Sequence, residues 1–181
     1  MNAFARIAAA AERRKARVLV IGGHAVNAYG YNRTTVDFDF VIEGATLPVW
    51  RDELEALGYQ WKGETRAFAQ FAAPEGENPP FPIDLMLVDE STFEKLWAEA
   101  RVLDFAGVSL RAPKPLHLIA LKLHALKNPT RAARGKDLPD IIQLMRIAEL
   151  DLANPELEVI LKRYADDRTI DLLRRLIEPI E

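Results

Sequence analysis

Two stretches constrain this chain more than any others. They are Val18-Leu19-Val20-Ile21-Gly22-Gly23 and Val36-Asp37-Phe38-Asp39-Phe40-Val41-Ile42. Together they read as a strand, a glycine turn, a short helix and a second strand that carries two aspartates. Alternate residues of a strand share a face, so Asp37 and Asp39 are expected side by side, with Val36, Phe38, Phe40 and Ile42 turned into a core. The second strand is otherwise apolar throughout, which suggests burial on both faces. Paired carboxylates in such a strand repel each other and cost desolvation. A divalent cation would relieve both costs.

Gly22 and Gly23 lack β-carbons, and their turn runs into a helix, so its N–H groups can meet a phosphate. Read alone, the glycines are also compatible with a plain turn, and an Asp-x-Asp strand with a solvated edge. A phosphate cradle beside a carboxylate pair points to metal-assisted phosphoryl or nucleotidyl transfer.

A third carboxylate strengthens that reading. Asp84 lies within Phe81-Pro82-Ile83-Asp84-Leu85-Met86-Leu87-Val88, an apolar strand where a lone aspartate is expensive unless paired or metal-bound. If this strand neighbours the first aspartate strand, Asp37, Asp39 and Asp84 converge, the number that two magnesium ions need with water and triphosphate oxygens completing each shell. A hydrogen-bonded turn residue is the alternative for Asp84. Arg33, in the loop Tyr31-Asn32-Arg33-Thr34-Thr35, is close enough to assist with phosphate or else is a surface group.

Composition limits the setting. The chain has 181 residues, no cysteine and a formal net charge of −3. That length suits one compact domain with a small companion lobe. Without cysteine there is no disulfide, zinc–thiolate site or thiol nucleophile, which fits a cytoplasmic protein. Slight acidity argues against charge-driven nucleic-acid binding over the whole surface. In the first sixteen residues the basic group follows the apolar one, the reverse of a signal peptide. No run approaches the ~20 apolar residues of a membrane span, so no membrane association is expected.

The remaining elements follow in order. An amphipathic helix is predicted over 2–15, and the first strand over 17–21 leads into a helix over 23–30. A helix over 47–57 stops at Gly58, strands lie near 59–61 and 66–73, and 74–80 form a loop. A helix over 91–100 is predicted with Ser91 as N-cap and Glu94 completing a capping box. A hairpin turns at Ala106-Gly107, and Pro113 to Pro115 marks a boundary after which the chain is helical. The fold class expected is α/β (α+β), a mixed sheet flanked by helices followed by a C-terminal helical lobe.

Within that lobe, Leu116 to Leu126 is apolar nearly all round, as a sandwiched helix would be. Lys122 in its middle either snorkels to water or reaches into a cleft. His117 and His124 share a flank and suit a structural role better than a metal site. Lys114, Lys122, Lys127, Arg131, Arg134 and Lys136 form a run without acidic residues, open to a triphosphate, an RNA backbone or plain solvent. Asp137 heads the stripe Ile141, Leu144, Ala148 and would point inward. Alternatively, Asp137 or Asp140 simply favours a helix N-terminus.

In this order the motifs resemble the nucleotidyltransferase fold of the polymerase-beta type. They are most similar to AbiEii-like nucleotidyltransferases of type IV toxin–antitoxin systems. Gly-Gly-His-Ala-Val-Asn-Ala-Tyr-Gly, Arg33-Thr34-Thr35-Val36-Asp37-Phe38-Asp39, Lys122-Leu123-His124-Ala125-Leu126 and Lys136-Asp137-Leu138-Pro139-Asp140-Ile141 carry the likeness, over residues 17–145. The resemblance implies a catalytic lobe over 1–112 and a helical lobe over 113–181, with the site in the cleft between them. It implies Mg2+ on Asp37 and Asp39, to which the reading of the strands adds Asp84, and triphosphate on Gly22, Gly23 and Lys122, to which the reading of the loop adds Arg33. Asp137 would deprotonate or orient the acceptor. Many relatives carry serine where this chain has Gly23, so a side-chain hydroxyl at the phosphate is missing from that position. The implied partners are an NTP, an RNA acceptor such as tRNA, and a cognate antitoxin. A protein acceptor, a small hydroxylated acceptor as in antibiotic-modifying nucleotidyltransferases, and a non-catalytic nucleotide-binding module are the alternatives.

Overall fold

The computed structural model describes residues 2–77, 80–127 and 135–177. The chain divides into two compact units, one of Met1–Ala28 with Asn32–Pro113 and the other of Tyr29–Tyr31 with Lys114–Glu181. Asn78, Pro79, Arg131 and Arg134 lie outside the described residues, as does the end of the tail helix that the sequence places at about 169–180.

The first unit is a mixed sheet dressed with helices. Its elements are α1 (Ala3–Arg14), β1 (Leu19–Val20), α2 (Gly22–Ala28), β2 (Phe38–Glu43) and α3 (Leu47–Ala56). There follow β3 (Gln60–Glu64), β4 (Phe68–Ala72), β5 (Ile83–Val88), α4 (Glu90–Ala98), β6 (Arg101–Asp104) and β7 (Ser109–Ala112). Five strands run in the order β1-β2-β5-β4-β3, and β6 pairs with β7 separately. β2 and β5 are parallel neighbours, and the other pairs of the five-stranded sheet are antiparallel. A parallel pair buried on both faces explains why β2 and β5 are so apolar.

The core forms where helix stripes meet the sheet. Phe4, Ile7 and Ala10 of α1 are buried, as are Trp50 and Leu54 of α3 and Phe93 of α4. Phe4 packs edge-on against Phe38 with ring centroids 5.0 Å apart. α1 is tied to α3 by Arg13 and Arg14, which grip the buried Glu53 carboxylate and hold its pKa below the usual range. The β6–β7 hairpin turns at Ala106 and Gly107, both at positive φ (54° and 83°), as a two-residue turn of this hand requires.

Three local expectations need correction. Val36 is 53% exposed, because regular pairing of β2 begins only at Phe38; the residues before it belong to the loop. The first strand is two residues long rather than five. The N-cap of α4 is Asp89, which accepts a hydrogen bond from the Thr92 amide at 2.8 Å, and not Ser91. Glu94 leaves the capping box and pairs with Arg17 at 2.5 Å.

The second unit is helical. α5 (Pro115–Leu126) packs on α6 (Asp137–Ile147) and α7 (Pro155–Tyr164), and α8 (Asp167–Ile177) packs on α6. Leu116, Leu118, Ile119 and Leu123 of α5 are buried, so its apolar circumference is covered as the sequence suggests. Among the described residues, no helix is long and apolar enough to cross a membrane.

Candidate active site

The sheet register brings two of the expected carboxylates together. Asp39 of β2 lies directly opposite Asp84 of β5, and Asp84 lies opposite Gln70 of β4. Register partners point to one face, and neighbouring strands are about 4.8 Å apart, so the three residues form a row across the sheet. The Gln70 amide donates to Asp84 Oδ1 at 3.1 Å. Asp39 and Asp84 are half-buried, in strands whose other residues are mostly buried.

The glycine turn abuts this row. The Ile21 amide donates to the Asp39 carbonyl at 2.9 Å and fixes the turn against β2. Gly22 sits at φ +63°, and a β-carbon there would overlap the Asp39 carboxylate. Only glycine satisfies both the backbone angle and the close approach. Gly23 is crowded for a different reason: a β-carbon there would lie 2.5 Å from Thr35 Oγ1 and 2.9 Å from an Arg33 guanidinium nitrogen.

Those two side chains come from a loop folded back over α2. Asn27 donates its amide to the Arg33 carbonyl at 2.8 Å and accepts the Arg33 N–H at 3.1 Å. The Arg33 guanidinium donates to the Thr34 carbonyl at 3.1 Å, and the Thr35 hydroxyl donates to Asp37 Oδ1 at 2.9 Å. Gly22, Gly23, Arg33, Asp37, Asp39 and Asp84 therefore occupy one neighbourhood of the first unit.

Sequence reasoning passed over His24. Its ring stacks on Phe38 at 4.9 Å and meets Phe4 edge-on at 5.0 Å. Burial lowers its pKa, with the nearby Asp37 charge opposing and Arg33 reinforcing that shift. The available signal was its place directly after the glycine pair.

The donor set suits a hard cation. Mg2+ is commonly held by one or two carboxylates, with water and substrate phosphates completing its shell. Asp39 and Asp84 supply such a pair, and the absent β-carbon of Gly22 leaves room for the Asp39 carboxylate. Among the described residues, however, no three His, Cys, Asp or Glu side chains stand together as a ready metal group. The expected three-carboxylate convergence is thus not preformed. Asp37 precedes the first paired residue of β2, where strand alternation does not set its direction, and its Oδ1 takes the Thr35 hydroxyl.

Lys122 and Asp137 belong to the second unit and meet there. Lys122 Nζ lies 3.2 Å from Asp137 Oδ1 and 2.5 Å from Asp140 Oδ2. The residues are 5%, 4% and 0% exposed, respectively. Asp137 and Asp140 are three apart on α6 and share a face, so one lysine of α5 reaches both. Lys122 does not snorkel. Asp137 both opens its helix and points inward. Asp140, weighed from sequence only as a helix-start residue, is the more deeply buried partner. His124 meets Tyr164 edge-on, with centroids 6.1 Å apart. The basic run is divided: Lys114 pairs with Glu156, Lys122 is buried, and Arg131 and Arg134 lie outside the described residues.

Comparison with known proteins agrees with this architecture. A family described as nucleotidyl transferase AbiEii toxin, type IV TA system, matches residues 6–180. The antibiotic-resistance factor ANT(2'')-Ia has a similar fold in solution, with TM-score 0.64 and 16% identity over 95% of this chain and 94% of that one. An antigenic nucleotidyltransferase-like protein from Paracoccidioides brasiliensis aligns with TM-score 0.58 and 16% identity, over 94% of this chain and 88% of that one. The lincosamide antibiotic adenylyltransferase LnuA, bound to lincomycin, aligns with TM-score 0.56 and 16% identity, over 78% of this chain and 93% of that one. No functionally curated sequence matches the chain.

Proposed function

The chain belongs to the AbiEii nucleotidyl transferase family, and from that premise we propose that it is the Mg2+-dependent toxin of a type IV toxin–antitoxin pair. It transfers NMP from an NTP to an acceptor hydroxyl, in the cytoplasm, with RNA such as tRNA as acceptor and a cognate antitoxin as partner. The observation that carries the reading is the Asp39–Asp84 pair lying against the Gly22 turn. Two carboxylates beside a glycine turn suit a cation and a triphosphate in adjoining positions, the arrangement NMP transfer needs.

In this mechanism Asp39 and Asp84, joined by Asp37, would hold Mg2+. When bound, the ion supplies positive charge to polarise the α-phosphate and to offset the charge of the leaving pyrophosphate. The Gly22 and Gly23 amides, the Arg33 guanidinium and Lys122 bind the triphosphate. Asp137 orients the acceptor hydroxyl and takes its proton. The acceptor oxygen bonds to the α-phosphorus as the bond to the β-phosphate bridging oxygen breaks. The roles of Lys122 and Asp137 rest on the likeness of their motifs to the family pattern.

Incubation with α-labelled NTP, Mg2+ and total RNA tests this reading. The unaltered protein is expected to label RNA, and Asp39→Ala to lower the rate at least about a hundredfold, since metal stabilisation is worth several kcal/mol. Equal labelling by the two proteins overturns it. Labelling confined to a small hydroxylated compound or to a protein reassigns the acceptor. Mg2+–NTP binding without turnover leaves a nucleotide-binding module.

A further inference from the structure

We propose that Thr35 is a further triphosphate-binding residue, whose hydroxyl supplies from the loop what position 23 lacks. The inference rests on the nucleotidyltransferase reading above. It starts from the space around Gly23. A β-carbon at Gly23 would lie 2.5 Å from Thr35 Oγ1 and 2.8 Å from Thr35 Cβ. The volume that a side chain at 23 would take is therefore filled by a hydroxyl and, 2.9 Å away, by a guanidinium nitrogen of Arg33. An oxyanion approaching this turn meets a hydroxyl donor and a cationic donor side by side.

The placement is held from two directions. Asn27 clamps the backbone of Arg33 through both its N–H and its carbonyl, which fixes the loop over α2. The Thr35 hydroxyl itself donates to Asp37 Oδ1 at 2.9 Å. A hydroxyl has a single proton to donate. While Asp37 Oδ1 accepts that proton, a phosphate oxygen cannot. Were a cation held by Asp37, its charge would weaken Oδ1 as an acceptor, and the Thr35 hydroxyl would then be able to turn its proton to a phosphate oxygen. Thr35 thereby couples the acidic side of the site to the triphosphate side.

Calorimetric titration with α,β-methylene NTPs, with and without Mg2+, tests the assignment without depending on the acceptor. Thr35→Val keeps the shape and removes the hydroxyl; it is expected to weaken nucleotide binding in Mg2+ about tenfold and to have a smaller effect without metal. Thr35→Ser keeps the hydroxyl and is expected to stay within about twofold of the unaltered protein. Gly23→Ser alone is expected to lose binding by overlap with Thr35. Gly23→Ser with Thr35→Gly clears both Thr35 atoms, restores a hydroxyl, and is expected to bind about tenfold tighter than Thr35→Gly alone. The proposal is overturned if Thr35→Val binds as tightly as the unaltered protein in Mg2+, or if the double variant binds no better than Thr35→Gly. Failure of the unaltered protein to bind any of the nucleotides rejects the nucleotidyltransferase reading itself.

Discussion

The two acidic groups of this protein are handled in opposite ways. In the first unit, Asp37 and Asp84 are met by neutral donors, the Thr35 hydroxyl and the Gln70 amide, and they remain half-buried. In the second unit, Asp137 and Asp140 are buried and face the Lys122 ammonium. A hydroxyl or amide donor orients a carboxylate, whereas an ammonium also offsets its charge. The first arrangement suits an incoming cation; in the second the charges are already matched within the unit. Removing charge from the second group should therefore cost stability as well as activity, and removing it from the first should cost activity alone.

Lys122→Met gives the largest expected effect. It leaves two buried carboxylates without their ammonium and should cost about 3–5 kcal/mol of stability, read by urea unfolding. A loss below about 1 kcal/mol would show that the second group is hydrated rather than a buried ion pair. Asp39→Asn should act on turnover alone. Turnover should fall at least about a hundredfold while stability shifts by less than about 1 kcal/mol, because the strand keeps its shape and sheds like-charge repulsion. A stability loss as large as that of Lys122→Met would erase the distinction between the two groups.

Gly22→Ala tests the first group through its backbone. An alanine at φ +63° costs about 1–2 kcal/mol, and its β-carbon overlaps the Asp39 carboxylate. Stability and turnover should drop together. Gly76→Ala, at φ +82° with open space around it, should lose stability to a similar degree and keep activity. Parallel behaviour of the two variants in the turnover assay would mean that the Gly22–Asp39 contact has no part in function.

The apolar strands, the glycine turn and the placing of Asp39 and Asp84 within strands were legible because strand patterning is a local signal, whereas the pairing of those two strands entered the sequence reading only as a condition. The β6–β7 hairpin was legible for a similar reason, since Ala106-Gly107 permits the turn. What sequence could not reveal depends on contacts made by distant residues. Asp37 looks like a strand residue until pairing is seen to begin at Phe38. Ser91 and Asp89 are both good N-caps, and the choice falls to where α4 starts. Asp140 as a buried partner requires α5 to lie against α6, and Gly23 as a crowded position requires the 33–35 loop to fold back over α2.

Gln70→Glu probes the smallest effect, the electrostatics of the sheet row itself. Glutamate opposite Asp84 places like charges across neighbouring strands, at a cost of about 0.2–1 kcal/mol without metal. If the row beside Gly22 takes up a divalent cation, the added carboxylate improves the site, and Mg2+ should return the lost stability by preferential binding to the folded state. Gln70→Leu, which removes the donor to Asp84 without adding charge, should show no Mg2+-dependent recovery. The difference between the two variants, read as Tm with and without Mg2+, isolates the cation's contribution from any general salt effect. Identical Tm responses in both would remove Asp84 from the metal set and leave Asp37 and Asp39 to hold the ion alone.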